Sequence, residues 1–252
     1  MKTLRAVCVL YVCLFASLKG NSQAELIPRY EFGLHLGTFI YQGDLTPNDY
    51  GAFNTMKAGF ALTATRNLNS LYAIRLQLLR GALKGDDSKY ENPDWRQQRN
   101  FKFTTPVTEV SLQAVRNILG LRPNEAGIIN FTPYIFAGIS YSFLNIERDW
   151  SNFNPSHFAG EDAILNGLNE DINHKVPKGL FSMPVGGGIR YGINQKLSIS
   201  LEGTYRIIGN DYLDGFSRAA NPELADHYHT VMVGVIYSFG KRNQFDCPKV
   251  GN

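Results

Sequence analysis

Segments of about ten residues in which apolar and polar side chains alternate recur along this chain. In the segment 72–81, YAIRLQLLRG, the tyrosine, the isoleucine and the first two leucines share one face, and Arg75 and Gln77 lie on the other. A period of two predicts a β-strand whose faces meet different surroundings. The pattern fits a soluble sandwich with one face in water, and it fits a membrane barrel with lipid outside and a polar lumen.

Seven further segments show the same alternation. The eight strands are predicted at 30–41, 57–67, 72–81, 101–117, 131–143, 181–191, 197–207 and 229–239. Strands of about ten residues suffice to cross a bilayer when tilted. In the fourth strand, Phe101 and Phe103 are out of phase with Val110 and Leu112, which predicts a β-bulge near Pro106.

The connections between these strands alternate in length. Long polar connections occupy 42–56, 82–100, 144–180 and 208–228, and shorter ones occupy 67–70, 118–130 and 194–196. All long connections therefore lie at one end, as in a transmembrane barrel with short periplasmic turns, long extracellular loops and periplasmic termini. The sequence predicts an all-β fold, an eight-stranded antiparallel up-and-down transmembrane β-barrel of OmpA-like architecture, in the bacterial outer membrane.

Aromatic residues near the strand ends support the membrane interpretation, because such barrels carry aromatic girdles at both interfaces. The girdle candidates are Tyr30, Tyr141, Phe143, Phe181, Tyr191, Tyr205, Tyr237 and Phe239.

The beginning of the chain has the parts of a secretory signal. Lys2 and Arg5 precede an apolar stretch at 6–18, and small or polar residues follow at 20–24. The apolar stretch is too short to span a bilayer as a helix. The predicted organisation is a cleaved signal peptide at 1–24, a barrel at 25–240 and a short periplasmic tail at 241–252.

Removal of the signal changes the charge and the cysteine content. The whole chain has 25 Lys+Arg and 22 Asp+Glu, and the signal carries three basic residues and no acid before residue 24, so the mature chain is neutral. Neutrality gives no argument for a nucleic-acid partner. Cys8 and Cys13 leave with the signal, and Cys247 alone forms no internal disulfide and no metal site.

Six charged residues are predicted to point into the lumen. They are Glu31, Arg75, Glu109, Arg190, Glu202 and Arg206. An isolated buried charge is costly, so the three acids and three bases are expected to pair. Since eight strands leave no room for an open pore, we expect a structural plug of ion pairs, with a proton or ion path as the alternative.

Catalytic and metal-binding motifs are scarce. The chain lacks a GxSxG elbow, an HExxH site and a P-loop. Ser217 and His229 are the only pair considered for a lipid-modifying barrel enzyme, and polar loop residues are the simpler interpretation. The acidic stretches at 86–88 and 211–214 lack the spacing of a calcium loop and are expected to be solvated. No enzyme activity, cofactor or metal is predicted.

Six stretches, in this order, resemble the family of small outer-membrane barrels that includes PorG, a component of the type IX secretion system. They are YEFGLHLGTFIYQGDL (30–45), RLQLLRGALKGDDS (75–88), RNFKFTTPVTEVSLQ (99–113), TPYIFAGISYSF (132–143), FSMPVGGGIRYGI (181–193) and NDYLDGFS (210–217). Members of that family tend to read NDYLDDVS in the last stretch, so Gly215 and Phe216 depart from its pattern.

The resemblance implies an integral outer-membrane protein without enzymatic activity that links the membrane to the periplasmic ring of the secretion machine. A lipoprotein and its partner build that ring. The contacts would come from the periplasmic turns and from the C-terminal tail, with Lys241, Arg242, Phe245 and Cys247 as the candidate residues. The alternative is a general OmpA-like barrel for envelope stability or adhesion, and a narrow channel or barrel enzyme is the weaker third hypothesis.

Overall fold

The fold is built from long antiparallel strands joined in chain order. The computed structural model describes residues 27–46, 51–124, 126–209, 213–220 and 226–241. The strands are β1 (Pro28–Gln42), β2 (Lys57–Asn67), β3 (Tyr72–Asp86), β4 (Lys102–Asn117), β5 (Thr132–Leu144), β6 (Glu147–Asp149), β7 (Gly179–Gly192), β8 (Leu197–Ile208) and β9 (His227–Lys241). Two helices, α1 (Trp95–Arg99) and α2 (Asp162–Asn173), and two 3₁₀ turns, Phe53–Thr55 and Asp87–Lys89, lie in the long connections.

The eight long strands form a closed ring. They follow one another in the order β1, β2, β3, β4, β5, β7, β8, β9, and β9 pairs with β1. The three-residue β6 adds to the end of β4 beyond the ring. Closure gives every long strand two neighbours. It therefore leaves no sheet edge with unpaired backbone N–H and C=O groups, which would promote aggregation in water and would be costly in lipid. The predicted eight-stranded up-and-down barrel is confirmed.

The register fixes the shape of this barrel. Following paired residues once around the ring from Tyr30 leads through all eight strands to Ile40, ten residues further along β1. Such a stagger in eight strands tilts them by about 40° from the barrel axis and leaves an interior just wide enough for side chains.

The alternation predicted from the sequence holds on both faces of the wall. On β8, Ser200 and Glu202 are buried in the interior, whereas the outward Leu201 is 46% exposed. The same exposure of apolar side chains is found on all eight long strands. A continuous apolar belt of this kind is unfavourable in water, and it matches the lipid-facing band of a membrane barrel.

The predicted bulge near Pro106 is wrong. Pairing of β4 with β3 runs in one register from Lys102 to Arg116, and Pro106 pairs with Ala82 within it. Phe103 points inward, in phase with Glu109, because the interior itself becomes apolar towards this end of the barrel. The composition of the lumen changes there, and the phase of the strand does not.

The long connections are folded, where the sequence predicted long polar loops. Together they form the loop cap, which comprises 43–46, 51–56, 87–101, 145–178, 209, 213–220 and 226. Its buried apolar side chains pack on inward-facing residues at the upper ends of the strands in one cluster, here called the apolar plug. Its members are Phe39, Tyr41, Leu45, Ala52, Ala61, Leu79, Leu83, Phe101, Phe103, Val107, Leu144, Leu168, Leu180, Ile208, Leu213, Phe216, Ala219, Tyr228 and Met232.

The opposite end of the barrel, here called the short-turn end, carries the turns 68–71, 118–131 and 193–196 and both ends of the described chain. The predicted signal peptide and nearly all of the predicted tail lie outside the described residues. No helix in the described ranges is long and apolar enough to cross a membrane.

Candidate functional site

The barrel interior is the candidate functional site, and it contains the six charged residues predicted for it. The structure joins them in three ion pairs, Glu31–Arg190, Arg75–Glu202 and Arg206–Glu109. Each pair reaches across the lumen between strands that are not neighbours in the ring. The side chains are almost completely buried, so each charge depends on its partner and on the hydrogen bonds around it.

The pair nearest the short-turn end joins β1 to β7. Arg190 Nη1 lies 2.9 Å from both carboxylate oxygens of Glu31. Its Nη2 donates to Ser238 Oγ at 3.1 Å, and Asn67 Nδ2 donates to Glu31 Oε1 at 3.0 Å. The extra bonds satisfy polar atoms that would otherwise be left unpaired in the interior.

The middle pair joins β3 to β8. Arg75 Nη1 lies 2.6 Å from Glu202 Oε2, and Arg75 Nε donates to Gln113 Oε1 at 2.7 Å. The Tyr134 hydroxyl donates to the same Glu202 oxygen at 3.0 Å. The Arg75 guanidinium also lies 4.3 Å from the centre of the Phe136 ring, a cation–π contact.

The glycine run of β7 makes room for these two rings. A Cβ atom at Gly186 would lie 2.5 Å from Phe136 Cζ, and one at Gly188 would lie 2.7 Å from Tyr134 Cζ. Both distances are far below van der Waals contact. Glycine is therefore required here so that Tyr134 and Phe136 can lie flat under Arg75.

The third pair, Arg206–Glu109, lies directly below the apolar plug. Arg206 Nε donates to Glu109 Oε2 at 2.8 Å, and the Tyr228 hydroxyl donates to that oxygen at 2.7 Å. Arg206 Nη1 donates to Thr230 Oγ1 at 3.1 Å, and its guanidinium lies 4.8 Å from the Tyr228 ring centre. Arg206 and Glu109 have no exposed surface.

A small polar cavity separates the lowest pair from the middle pair. Its volume is about 30 Å³, and it is lined by Glu31, His35, Arg75 and Arg190 among others. His35 Nδ1, Arg75 Nη2 and Arg190 Nε have no protein hydrogen-bond partner. The space and its polar lining suit a single water molecule.

The interior is thus closed by two different layers. Ion pairs fill the half near the short-turn end, and the apolar plug fills the half under the loop cap. A path for protons or ions would need polar groups or water along the whole axis, and among the described residues the apolar side chains of the plug occupy its upper part. The arrangement favours the structural plug of ion pairs over the ion path.

In the two acidic stretches expected to be solvated, the described acids Asp86, Asp87 and Asp214 are buried instead. Asp87 is completely buried, and its carboxylate bonds Arg99 Nε at 2.7 Å and Arg96 Nη1 at 3.2 Å. Asp214 is also completely buried, and it accepts from the Tyr41 hydroxyl at 2.7 Å and from the Phe216 N–H at 2.8 Å. Asp87 thus fixes its own connection to α1, and Asp214 ties the β8–β9 connection to Tyr41 on β1.

A third buried carboxylate joins α2 to the β8–β9 connection, and sequence reasoning missed it. Asp171 accepts the backbone N–H groups of Ser217, Arg218 and Ala219 at 3.1, 3.1 and 2.9 Å. Close approach is possible because Gly167 has no side chain: a Cβ atom there would lie 2.3 Å from Arg218 O. The sequence predicted only a polar connection here; the signal would have been the spacing of three residues that places Asp171 on the same helix face as Leu168.

Gly215 also has a local reason to be glycine. Its φ of +87° is a backbone conformation that L side chains rarely adopt. A Cβ atom there would come within 2.4 Å of Arg148 Cδ, whose guanidinium donates to Gly215 O at 2.8 Å. The departure from the pattern of the resembled family is thus built into the packing of this loop cap.

The structure does not bring together the pair considered for an enzyme. Ser217 lies in the loop cap, bonded to Asp171, and the His229 ring lies against Phe53 with ring centres 6.2 Å apart. No hydrogen bond joins Ser217 to His229. Among the described residues, no group of three or more His, Cys, Asp or Glu side chains is arranged to hold a metal ion.

The candidate tail residues give no site here. Lys241 is the last residue of β9 and pairs with Pro28. Arg242, Phe245 and Cys247 lie outside the described residues.

The fold is thus an eight-stranded antiparallel barrel of the outer-membrane type, with its interior filled by side chains. The chain belongs to a family described as a domain of unknown function, DUF6089, whose model matches residues 5–245. No curated protein sequence matches the chain.

Several solved structures are similar to this barrel. They include Ail, the attachment invasion locus protein of Yersinia pestis (11% identity, 85% of this chain and 100% of that chain covered, TM-score 0.45). The outer membrane protein OprG from Pseudomonas aeruginosa is 11% identical, and the match covers 86% of this chain and 98% of OprG with a TM-score of 0.44. The outer membrane enzyme PagL is 8% identical, and the match covers 83% of this chain and 99% of PagL with a TM-score of 0.36.

Proposed function

We propose that this protein is a non-enzymatic, non-conducting barrel of the bacterial outer membrane, with its loop cap outside the cell and both chain ends in the periplasm. The observation that carries the proposal is the sealed interior inside an exposed apolar belt. Such a barrel would act as an anchor in the membrane and would be neither a channel nor an enzyme.

The belt supports insertion in a bilayer. Aromatic rings border it at both ends: Phe32, Tyr237 and Phe239 stack near the short-turn end, and Tyr141 and Phe181 meet edge to face near the loop cap. Aromatic side chains favour the interface between headgroups and hydrocarbon. The distribution of apolar residues therefore marks two interfaces with hydrocarbon between them.

We further propose that the protein is a structural component of the type IX secretion machinery and anchors its periplasmic ring. The support is the sequence resemblance in six ordered stretches together with an apolar surface at the short-turn end. Leu68 and Leu71 on one turn, and Ile118 and Leu119 on the next, are exposed. The two turns are joined by a hydrogen bond from Leu121 N–H to Ser70 O at 2.8 Å, so the surface has a fixed shape.

The secretion proposal is tested by purifying the tagged protein from its native outer membrane in mild detergent and identifying co-purified proteins by mass spectrometry. We expect the lipoprotein of the ring and its partner. A variant that ends at Lys241 keeps all of β9 and should no longer co-purify the two ring proteins if the tail makes the contact. Leu119→Asp should lose the same two proteins if the turn makes the contact. A barrel that purifies alone would overturn the secretion role and leave the general envelope barrel as the function.

Closure of the lumen has a separate test. Purified protein in planar bilayers should give no conductance steps, since the apolar plug blocks the axis. Reproducible single-channel openings would contradict the sealed interior, and labelling of Ser217 by a serine-hydrolase probe would contradict the non-enzymatic assignment.

A further inference from the structure

Charge is distributed unevenly between the two ends of the barrel. At the short-turn end, Glu31 is the only acid among the described residues, and it is buried against Arg190. Basic residues with accessible side chains surround it: Arg29, Arg66, Arg116, Arg122 and Lys196. Acids and bases are mixed in the loop cap. Among the described residues, this ring of basic residues, here called the basic collar, therefore has no accessible acid beside it.

The collar side chains are exposed, or half-buried in the case of Arg116. The Arg116 guanidinium lies 5.8 Å from the Tyr72 ring centre, and that of Arg29 lies 5.4 Å from the Tyr30 ring centre. Arg66 is exposed and stands opposite Tyr30 across the β1–β2 pair. In the part of the chain that the structure describes, no carboxylate forms an ion pair with these arginines.

An apolar groove on the outer wall leads away from Arg66. Two adjoining depressions of about 230 and 650 Å³ share Phe32, Ala64 and Leu76 as lining residues. The first also contacts Arg66, and the second extends to Val110. The depression lies over Ala64 because this side chain is smaller than its neighbours Phe32 on β1 and Leu76 on β3. The groove therefore begins at the collar and runs towards the middle of the belt.

We propose that this groove and the collar bind one anionic glycerophospholipid of the leaflet at the short-turn end. The phosphate lies between Arg66 and Arg116, and an acyl chain lies over Ala64. Arg66 faces Ile74, and Arg116 faces Tyr72, so the two arginines lie on either side of β3 at the same edge of the belt. A guanidinium matches phosphate oxygens in geometry and charge. The site requires only that the barrel is inserted in a bilayer, and it is independent of the secretion role.

Native mass spectrometry of the refolded barrel from micelles doped equally with phosphatidylglycerol and phosphatidylcholine tests the headgroup. Each basic residue near an anionic lipid surface strengthens binding about fivefold, which corresponds to about 1 kcal/mol. We expect phosphatidylglycerol adducts to dominate, and Arg66→Gln with Arg116→Gln to bring the two lipids close to parity. Arg80→Gln is the matched control, because Arg80 is outward-facing and exposed near the opposite edge of the belt.

Equal adducts on the wild-type protein would overturn the site, as would an equal loss of preference in Arg80→Gln. Ala64→Phe tests the acyl chain separately: filling the groove should reduce retained phosphatidylglycerol severalfold without changing the fold. Ala137→Phe, on the outward face of β5 and outside the groove, should retain the lipid. If the two alanine variants behave alike, the groove does not hold the chain.

Discussion

Arg206 shows how a guanidinium is kept deep inside a lipid-embedded barrel. Its charge is matched by Glu109, and its Nη1 donates to Thr230 Oγ1. Tyr228 binds the same carboxylate oxygen and faces the guanidinium with its ring. A buried pair of this kind adds little stability over apolar residues, but loss of one member leaves an uncompensated charge.

The variant Arg206→Met is expected to lose about 3–5 kcal/mol of unfolding free energy, because Glu109 then stays buried without a cation. Urea unfolding in lipid vesicles measures the change. The double variant Arg206→Met with Glu109→Gln removes both charges and should recover much of the loss. A single variant as stable as the wild type would show that the pair is not buried as described.

Leu201 tests the lipid-facing assignment at a single position. Leu201→Arg places a charge on the outer wall near the middle of the belt and should reduce the unfolding free energy by about 2–4 kcal/mol. Leu197 lies on the same face at the start of β8, near the interface, where the same substitution should reduce it by only about 0–1 kcal/mol. Equal effects at the two depths, measured by the same urea unfolding, would argue against hydrocarbon around β8.

At the scale of elements, the residues of β7 are restricted by the side chains and backbone that they contact. A Cβ atom at Gly188 would lie 2.6 Å from Leu201 O and 2.7 Å from the Tyr134 ring, whereas nothing lies within 4 Å of one at Gly203. Gly203 is outward on the neighbouring β8. Packing therefore requires glycine at position 188 on β7, whereas it does not require glycine at position 203 on β8.

Gly188→Ala should destabilise the barrel by about 1–3 kcal/mol, since the backbone and Tyr134 must shift to admit one methyl group. Gly203→Ala is the control and should be neutral or slightly stabilising, because alanine reduces the freedom of the unfolded chain. Refolding yield and urea midpoint report both. Identical behaviour of the two variants would mean that Tyr134 does not occupy the space over β7.

One carboxylate of the helix α2, that of Asp171, makes its hydrogen bonds to the backbone of the β8–β9 connection. Asp171→Ala removes the acceptor for three backbone N–H groups of the β8–β9 connection, and burial of those donors without a partner is unfavourable. We expect rapid cleavage within 145–178 by a protease added from outside, while the barrel remains folded. Asp162→Ala, at the exposed start of α2, should resist as the wild type does; cleavage of both variants at one rate would contradict the role of Asp171.

At the scale of the whole molecule, the sequence predicts the wall far better than the loop cap. A strand in a two-faced wall repeats every two residues, so 197–207 could be assigned from its own side chains. The six lumen charges followed from the same alternation. The cap has no such period: Tyr41 meets Asp214 across 173 residues of chain, and Thr105 meets Leu213 across 108. Contacts of that separation leave no local pattern in the sequence.

The wrong bulge at Pro106 has the same origin. An inward Phe103 looks like a break in phase only if the whole lumen is assumed to be polar. Its apolar partners, Tyr41 and Leu45 among them, come from other segments. The interior of the barrel changes character along its axis because the loop cap enters it.

In the proposed orientation, with the loop cap outside the cell, the long connections have to cross the membrane during insertion. For a barrel that enters the bilayer with its long connections leading, Asp87, Asp171 and Arg99 must cross the hydrocarbon before their partners are in place. In that case the ionic contacts of the loop cap would form only after crossing. Reversal would require these groups to separate and pass unpaired through lipid, at a cost of several kcal/mol for each ion. For a barrel in the proposed orientation, we therefore expect the folded cap to slow its exit from the membrane.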